Sequence, residues 1–455
     1  MSGTFSSLSG ALSALRYNRV AMDVASGNVA NAGTAGYARR QVIGQATGAP
    51  ALPAIWSRWQ GAGDGVEPSS VSRMVDPLMD ARSRAEHSAS SFLDTRSASL
   101  VRFETAIAEP GEGGVAAALD NFQSAWHDVA NSPGDSAAGT QLLARAETLR
   151  STIATQAQAV SNEWADQRTR LDALGSDVNQ TAAQLADLNK GLRSASLSGT
   201  DAGTLLDQRD QLTLKLASLT GAAVTVNADT TVDVKVGGQA LVTGNTAYAV
   251  TVTGSADLAG AATDPVEFSV NGTAVTLPGG EVGAGQQLLN TDLPGYLTKL
   301  DSFVATMANA VNTQHALGVD RSGAAGGPLF SGTTAATLQV AITDPLKLAA
   351  ADPAKGGLDN TNANALANLD MGGTAYRNLV TGFGVTVSSA RQTAANQSVL
   401  TAQVDASRES LSGINIDEEM VNLLAAQRGY EGASRVLTTM DSMLDTLINR
   451  TGLVR

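Results

Sequence analysis

Cysteine is absent from the 455 residues of the chain. Without thiols the chain has no disulfide framework, no thiolate metal site and no cysteine nucleophile. Aromatic residues make up 4% and charged residues 16% of the sequence, whereas about 25% of residues are charged in an average soluble protein. A surface with so few charges favours packing against copies of the same chain. A genome bias towards alanine and glycine is the competing explanation.

Positive charge is also scarce, because 30 Lys and Arg residues face 43 Asp and Glu residues and the formal net charge is −13. Nucleic acid binding requires a basic stripe that neutralises phosphates, and the sequence contains no such stripe. We therefore expect no nucleic acid partner. The short clusters Arg39-Arg40 and Arg82 with Arg84 are interpreted as solvated faces.

Long apolar runs are missing as well. The start of the chain, Met1 to Phe5, lacks a basic segment followed by an apolar one, which is the pattern of a secretory signal. No stretch reaches the roughly 18 apolar residues that span a bilayer. The sequence thus predicts neither a cleaved signal nor a membrane anchor, and a protein of this kind that leaves the cell needs another export route.

Catalytic signatures are absent too: the sequence has no Gly-x-Ser-x-Gly, His-Glu-x-x-His, P-loop or dinucleotide fingerprint. The acidic triplet Asp417-Glu418-Glu419 is compatible with a metal or acid–base site, but acids in a first helical turn more simply complement the helix dipole. His315 has no second ligand spaced to help it bind a metal, which favours a loop-shaping role. We expect no catalytic activity, no cofactor and no metal.

The N-terminal segment has helical periodicity. An apolar residue recurs every seven positions at Leu8, Leu15, Met22 and Val29, and Leu12 lies in a second column. This spacing places an apolar stripe along a helix, as in a coiled-coil seam. Asn and Gly in residues 31–33 favour the end of the helix there, and an extended segment follows.

The C-terminal segment carries a similar pattern after Gly413. Its stripe consists of Ile416, Met420, Leu423, Tyr430, Leu437, Leu444 and Ile448, broadened by Leu424, Val436 and Leu447. Because the chain begins and ends with such helices, the simplest topology pairs them and nests the remaining domains outward along a rod.

Between these ends the period changes. Residues 140–190 have helical periodicity that only Gly175 interrupts, and a helix of about fifty residues is about 75 Å long. Residues 222–282 instead alternate with a period of two, and Asn271-Gly272 is a favoured two-residue hairpin turn. Helical periodicity resumes near Leu293.

These patterns predict a mainly α fold with a β insertion, in which both termini build a long helical-bundle or coiled-coil rod and a small β domain is inserted centrally. The predicted paired terminal-helix domain comprises residues 1–45 and 405–455. The helical body comprises residues 46–221 and 283–404, and the inserted β domain comprises residues 222–282.

Residues 28–39 read Asn-Val-Ala-Asn-Ala-Gly-Thr-Ala-Gly-Tyr-Ala-Arg and resemble the N-x-A-N-x-x-T-P-G-Y-x-R signature of flagellar axial proteins. The segment from Gly413 to Asn449 is similar to the C-terminal helix of that family. Ala35 stands where the family usually has proline, so the turn is less rigid. Hook, rod and junction proteins share these ends.

Three interior segments resemble the junction members of the family, the first hook-associated proteins. They are residues 205–212 (Leu-Leu-Asp-Gln-Arg-Asp-Gln-Leu), residues 311–320 with the loop 326–330, and residues 63–66 followed by Val71, Arg73 and Asp76. The resemblance extends over essentially the whole chain. The β insertion is short for the family, which implies that the outermost domain is reduced or absent.

The resemblance implies a secreted structural subunit of the extracellular bacterial flagellum, which leaves the cell through the flagellar type III apparatus and forms the junction ring between hook and filament. The implied partners are other copies in that ring, the hook protein, the second hook–filament junction protein and an export chaperone near the C-terminus. The alternative is a hook or distal-rod subunit of the same family, against which the long interior helix and residues 205–212 speak.

The predicted assembly interface lies on the two terminal segments. Its residues are Leu8, Leu12, Leu15, Met22, Val29, Asn31, Gly36, Tyr37, Arg39, Ile416, Met420, Leu423, Leu424, Tyr430, Leu437, Leu444, Leu447 and Ile448. Amphipathic helices with exposed apolar stripes are poorly stable alone in water. We therefore hypothesise that the termini fold on assembly, and the alternative is an ordinary intramolecular coiled coil.

Overall fold

The computed structural model describes residues 2–47, 65–107 and 109–446. Within these ranges the α-helices are α1 (Ser2–Ala30), α2 (Pro77–Ile107), α3 (Val115–Asn131), α4 (Ser136–Ser198), α5 (Gly203–Thr220), α6 (Gly280–Gln287), α7 (Leu293–Ala316), α8 (Thr361–Ala367), α9 (Gly373–Ser412) and α10 (Ile416–Asp445). The strands are β1 (Arg40–Thr47), β2 (Gly65–Arg73), β3 (Ala223–Val226), β4 (Val232–Val236), β5 (Gln239–Thr243), β6 (Thr246–Ala247), β7 (Val250–Thr253), β8 (Glu267–Val270), β9 (Thr273–Val275), β10 (Phe330–Ser331) and β11 (Gln339–Val340).

Helix α4 has 63 residues and is therefore about 95 Å long. It begins where the Asp135 side chain accepts a hydrogen bond from the Ala137 N–H, and it ends at Gly199, whose φ of 63° is left-handed. The side chains that the sequence places at seven-residue spacing are all buried: Trp164, Leu171, Val178, Leu185 and Leu192. The long interior helix predicted from periodicity is confirmed.

The core of the helical body forms where α2, α4, α7 and α9 meet. The rings of Phe103, Tyr296 and Phe383 contact one another edge to face, with centroid distances of 4.8, 5.2 and 5.0 Å. The Trp164 indole N–H donates a 2.9 Å hydrogen bond to the Leu289 carbonyl, which satisfies its buried polar group. These contacts fix the helices of the body against α4.

The strands between α5 and α6 form a four-stranded sheet of order β3-β4-β5-β6 and a three-stranded sheet of order β7-β8-β9. Asn271 and Gly272 have positive φ values of 51° and 75°, as the predicted two-residue turn requires. Two asparagines of α4 hold these sheets: the Asn189 amide donates to the Val232 carbonyl at 2.8 Å, and the Asn179 amide donates to the Val250 carbonyl at 2.9 Å.

Helix α1 packs along α10, and the antiparallel pair β1-β2 lies against α1. The predicted fold class, mainly α with paired terminal helices and a central β insertion, is confirmed. Strands β3 to β9 lie within residues 222–282, and the division into three domains stays a prediction. Across the described ranges, no helix combines the length and the apolar character that crossing a bilayer demands.

Candidate functional site

The seam between α1 and α10 is made of small residues. Ala25 on α1 and Ala426 and Ala433 on α10 are 3%, 6% and 9% exposed. A Cβ atom at Gly429 would collide with the Asn18 side chain, so the two helices approach closely there. The residues that carry the seam on α10 therefore recur every seven positions, but they are not the large apolar ones.

None of the large apolar residues of the predicted interface that the structure describes is fully buried. Those that are exposed are Leu12 (45%), Ile416 (51%), Met420 (44%), Leu424 (53%) and Tyr430 (40%). Those that are partly buried are Leu8, Leu15, Met22, Val29, Leu423, Leu437 and Leu444. Leu447 and Ile448 fall outside the described residues. The helix pair thus presents an apolar outer face that its own chain leaves uncovered.

A network of polar side chains, the polar joint, lies where this helix pair meets the body. It comprises Asn28, Tyr37, Arg39, Arg40, Arg73, Asp207, Asp210 and Glu419. These residues come from four segments that the sequence singled out separately, and the fold brings them together.

Glu419 connects α10 to this joint. Its carboxylate is 3% exposed and accepts hydrogen bonds from the Arg39 guanidinium at 2.7 and 2.8 Å and from the Asn28 amide at 2.9 Å. The helix N-terminus is capped by Asn415, whose side chain accepts from the backbone N–H groups of residues 417 and 418. The acidic triplet lies in the first turn of α10, as its interpretation as a complement to the helix dipole requires, and Glu419 in addition ties that helix to Arg39 and Asn28.

Asn28 is fully buried and satisfies both backbone polar groups of Arg40. Its Oδ1 accepts from the Arg40 N–H at 3.0 Å and its Nδ2 donates to the Arg40 carbonyl at 2.9 Å. The Tyr37 hydroxyl donates to the same Oδ1 at 3.2 Å. This side chain thus holds the turn after α1 in place beside the first strand.

Arg73 and two aspartates of α5 form a second buried cluster within the joint. The Arg73 Nε lies 2.8 Å from Asp207, its terminal nitrogen lies 2.6 Å from Asp210, and all three side chains are 8% exposed. Arg40 adds a 3.3 Å contact to Asp207. The interpretation of Arg39-Arg40 as a solvated face is wrong, because both guanidinium groups pair with carboxylates of their own chain.

Gly36 and Asn31 shape the turn that enters the joint. Gly36 has a φ of 77°, and a Cβ atom there would collide with the Gln211 side chain, which donates a hydrogen bond to the Ala35 carbonyl. The Asn31 amide donates to the Gly27 carbonyl at 2.8 Å. Of the predicted interface residues, Asn31, Tyr37 and Arg39 thus direct their polar atoms to their own chain.

His315 is fully buried and organises a loop. Its Nδ1 lies 2.7 Å from the Gly327 carbonyl, and its Nε2 accepts from the Ala349 N–H at 2.9 Å. With Nε2 as acceptor, the ring is neutral and Nδ1 carries the proton. Burial lowers the pKa of His315, which maintains this state. The geometry is that of the predicted loop-shaping role.

Sequence reasoning missed the partnership of Asn28 with Glu419, which are 391 positions apart. The available signal was that both are polar residues inside otherwise apolar helical patterns. In the described part of the chain, no three His, Asp or Glu residues are grouped so that they can hold a metal ion.

Known proteins match this chain along most of its length. Residues 100–330 match the family described as Flagellar hook-associated protein FlgK helical domain, and residues 407–450 match the Flagellar basal body rod FlgEFG protein C-terminal family. Flagellar hook-associated protein 1 of Bacillus subtilis (strain 168) is 27% identical, with 99% of each chain covered. The protein of the same name from Escherichia coli (strain K12) is 25% identical, with 97% of this chain and 99% of the relative covered.

A solved structure supports the same assignment at the level of the fold. The flagellar hook junction protein FlgK from Burkholderia pseudomallei superposes with a TM-score of 0.65 at 18% identity, and the match covers 73% of this chain and 100% of that chain. Together with the family match over residues 100–330, these findings show that the chain belongs to the FlgK family of flagellar hook-associated proteins.

Proposed function

We propose that the chain is a structural, non-enzymatic subunit of the bacterial flagellum that forms the junction ring between hook and filament. The observation that carries this proposal is the apolar outer face of the α1–α10 pair, where Met420, Leu424 and Tyr430 are 44%, 53% and 40% exposed. Neighbouring subunits in a ring would cover such a face. Export through the flagellar type III apparatus and a location outside the cell belong to the same proposal.

The energetics of the terminal pair support folding on assembly. Its seam buries alanines, whereas fully burying a large apolar side chain contributes about 1.5–3 kcal/mol. The half-exposed residues therefore leave much of their possible stabilisation unused in a single chain. The pairing of α1 with α10 within one chain fits the intramolecular alternative, but a pair with so little buried apolar surface is expected to be marginal until neighbours cover it.

The proposal extends to the partners that the family resemblance implies. We infer lateral contacts between copies, the hook protein at one end of the ring and the second hook–filament junction protein at the other. An export chaperone would bind near the C-terminus, where Val436 and Met443 of α10 are 47% and 53% exposed. Covering these residues before assembly would prevent premature self-association.

A hook or distal-rod subunit is the second candidate, and the match of residues 407–450 to rod proteins keeps it open. The match of residues 100–330 to the hook-associated helical domain favours the junction. The two candidates differ in where the protein is found.

Deletion of the gene tests the proposal. We expect hooks without attached filaments and flagellin shed into the medium, with both defects restored by the intact gene. Immunogold labelling of the intact chain should then mark the tip of the hook. Labelling along the hook or in the rod, or filaments that stay attached in the deletion strain, would contradict the junction assignment.

A further inference from the structure

A groove separates the first half of α2 from the two loops that bracket the β insertion. On α2 its lining consists of Ala81, Arg84, Ala85, Ser88 and Ala89, and across from them lie residues 221–224 and 278–279. The groove has a volume of about 520 Å³. The groove lies in the helical body, and none of its lining residues belongs to the polar joint or the terminal helix pair.

Glycines let the loops approach α2 at the bottom of this groove. Gly221 ends α5 with a left-handed φ of 69°, and a Cβ atom there would come within 3.1 Å of the Ser88 hydroxyl oxygen. A Cβ atom at Gly279 would collide with the same oxygen. Because Gly221 and Gly279 have no side chains, the space above the Ser88 hydroxyl stays open.

Two hydrogen-bond donors in the groove have no acceptor within the described residues. Ser88 is 9% exposed and makes no side-chain hydrogen bond there, and Arg84 makes neither a hydrogen bond nor an ion pair there. The nearby carboxylates are engaged elsewhere, because Asp80 pairs with Arg408 at 2.7 Å and Asp210 pairs with Arg73 at 2.6 Å. Burial lowers the pKa of Arg84 more than these two acids raise it.

The groove also borders an edge strand. Strand β3 pairs with β4 alone in its sheet, and its residues Ala223 and Val224 line the groove. An edge strand offers unpaired backbone N–H and carbonyl groups to an added extended segment. A guanidinium, a hydroxyl donor and a strand edge together suit an extended segment that carries a carboxylate.

We infer that this groove binds a carboxylate on an extended acidic segment of a neighbouring copy of the chain. Arg84 forms the ion pair and the Ser88 hydroxyl donates to the same carboxylate. A copy is the occupant because the chain has 43 acidic against 30 basic residues, so its surface supplies the complementary charge. The inference rests on the proposed function, which places copies side by side in a ring.

Photo-crosslinking in assembled flagella tests this inference. Ala85, which is exposed on the groove wall, is replaced by benzoylphenylalanine in the full-length chain, and flagella are irradiated after isolation. We expect a covalent dimer of the chain, with the crosslink mapped by mass spectrometry to a segment that contains Asp or Glu. A crosslink to a different protein, to a segment without an acidic residue, or to nothing would overturn the inference.

A second probe separates this inference from the proposed function. Benzoylphenylalanine in place of Met420 reports on the outer face of the terminal pair. Dimers from the Met420 probe without dimers from the Ala85 probe would leave the proposed ring intact and reject the groove as a contact. The absence of dimers from both probes would count against both.

Substitutions identify the charge that matters. In the chain with the Ala85 probe, Arg84→Gln should lower the dimer yield at least several-fold, and Arg84→Lys should restore part of it. The matched control is Arg145→Gln on α4, since Arg145 also has no ion pair within the described residues. Equal yields from Arg84→Gln and Arg145→Gln would reject the ion pair. If Arg84→Gln prevents assembly, Ser88→Ala tests the same contact, and an unchanged yield would reject it.

Discussion

At the scale of single residues, the polar joint shows buried charges that fix geometry. Arg73, Asp207 and Asp210 are each 8% exposed, and removing charges from water costs several kcal/mol per ion, which their attraction offsets only when the geometry is good. A purely apolar contact would tolerate sliding of the β1-β2 hairpin on α5. Arg73 and the two aspartates pair in only one position of the hairpin on α5. The joint therefore fixes how the terminal pair is oriented on the body.

Replacing Asp207 should loosen the hairpin. Asp207→Asn removes the charge that faces Arg73 and Arg40 and leaves a buried and a half-buried cation without full compensation. Breaking a buried pair in this way costs about 3–5 kcal/mol. Hydrogen exchange of β2 should therefore accelerate strongly, while exchange in α4 stays unchanged. The control is Asp201→Asn, because the Asp201 side chain is 65% exposed and exposed pairs contribute at most about 1 kcal/mol. Equal effects of the two substitutions would contradict the role of the joint.

His315 should make stability depend on pH. Burial lowers its pKa in the folded chain, whereas an unfolded histidine has a pKa of about 6.5. Below that value the unfolded state binds more protons than the folded state, so the free energy of unfolding falls as the pH falls. Thermal unfolding between pH 7 and pH 5 should show a decline that is smaller in His315→Gln. His127→Gln removes an exposed histidine and should keep the full decline. An identical decline in all three chains would refute the assignment.

At the scale of elements, periodicity predicted the helices well and their contacts poorly. The seven-residue spacing of Trp164, Leu171 and Val178 identified α4 because that helix is packed by large side chains on a long stripe. The same method marked Met420 and Leu424 on α10, but the seam with α1 uses Ala426 and Ala433. Hydrophobic periodicity detects large side chains, whereas close helix approach selects small ones. Asn28 and Glu419 each stood out as polar residues in helical patterns, but nothing in the sequence paired them, because only the fold brings them together.

Hydrogen exchange on the free monomer tests the consequence for the terminal helices. Because the α1–α10 seam buries mainly small residues, amides of residues 5–30 should exchange far faster than those of residues 142–192 in α4, whose large side chains are buried. In assembled flagella the same segment should become protected. Strong protection of residues 5–30 in the free monomer would show that the intramolecular pair is stable by itself.

At the scale of the whole molecule, the body has a complete apolar core within one chain, whereas the terminal helices leave apolar side chains uncovered. The body has a core of large buried side chains, among them Trp126, Trp164 and Tyr376. The terminal pair instead leaves several of its large apolar residues exposed, among them Met420 and Leu424, and is tied to the body through the polar joint. Such a division suits the proposed junction subunit, since the body supplies stability and the termini supply contacts.

Removing residues 413–455 should separate these two properties. The deletion removes α10 and Glu419, but the contacts of α10 in the described chain are with α1 and the polar joint. The cooperative thermal unfolding of the body, followed by circular dichroism of the purified protein, should therefore persist. Cells that make only the shortened chain should shed flagellin from bare hooks, because the apolar outer face of α10 is gone. Loss of the cooperative transition would show that the stability of the body depends on α10. Filaments that stay attached would show that ring assembly does not require α10.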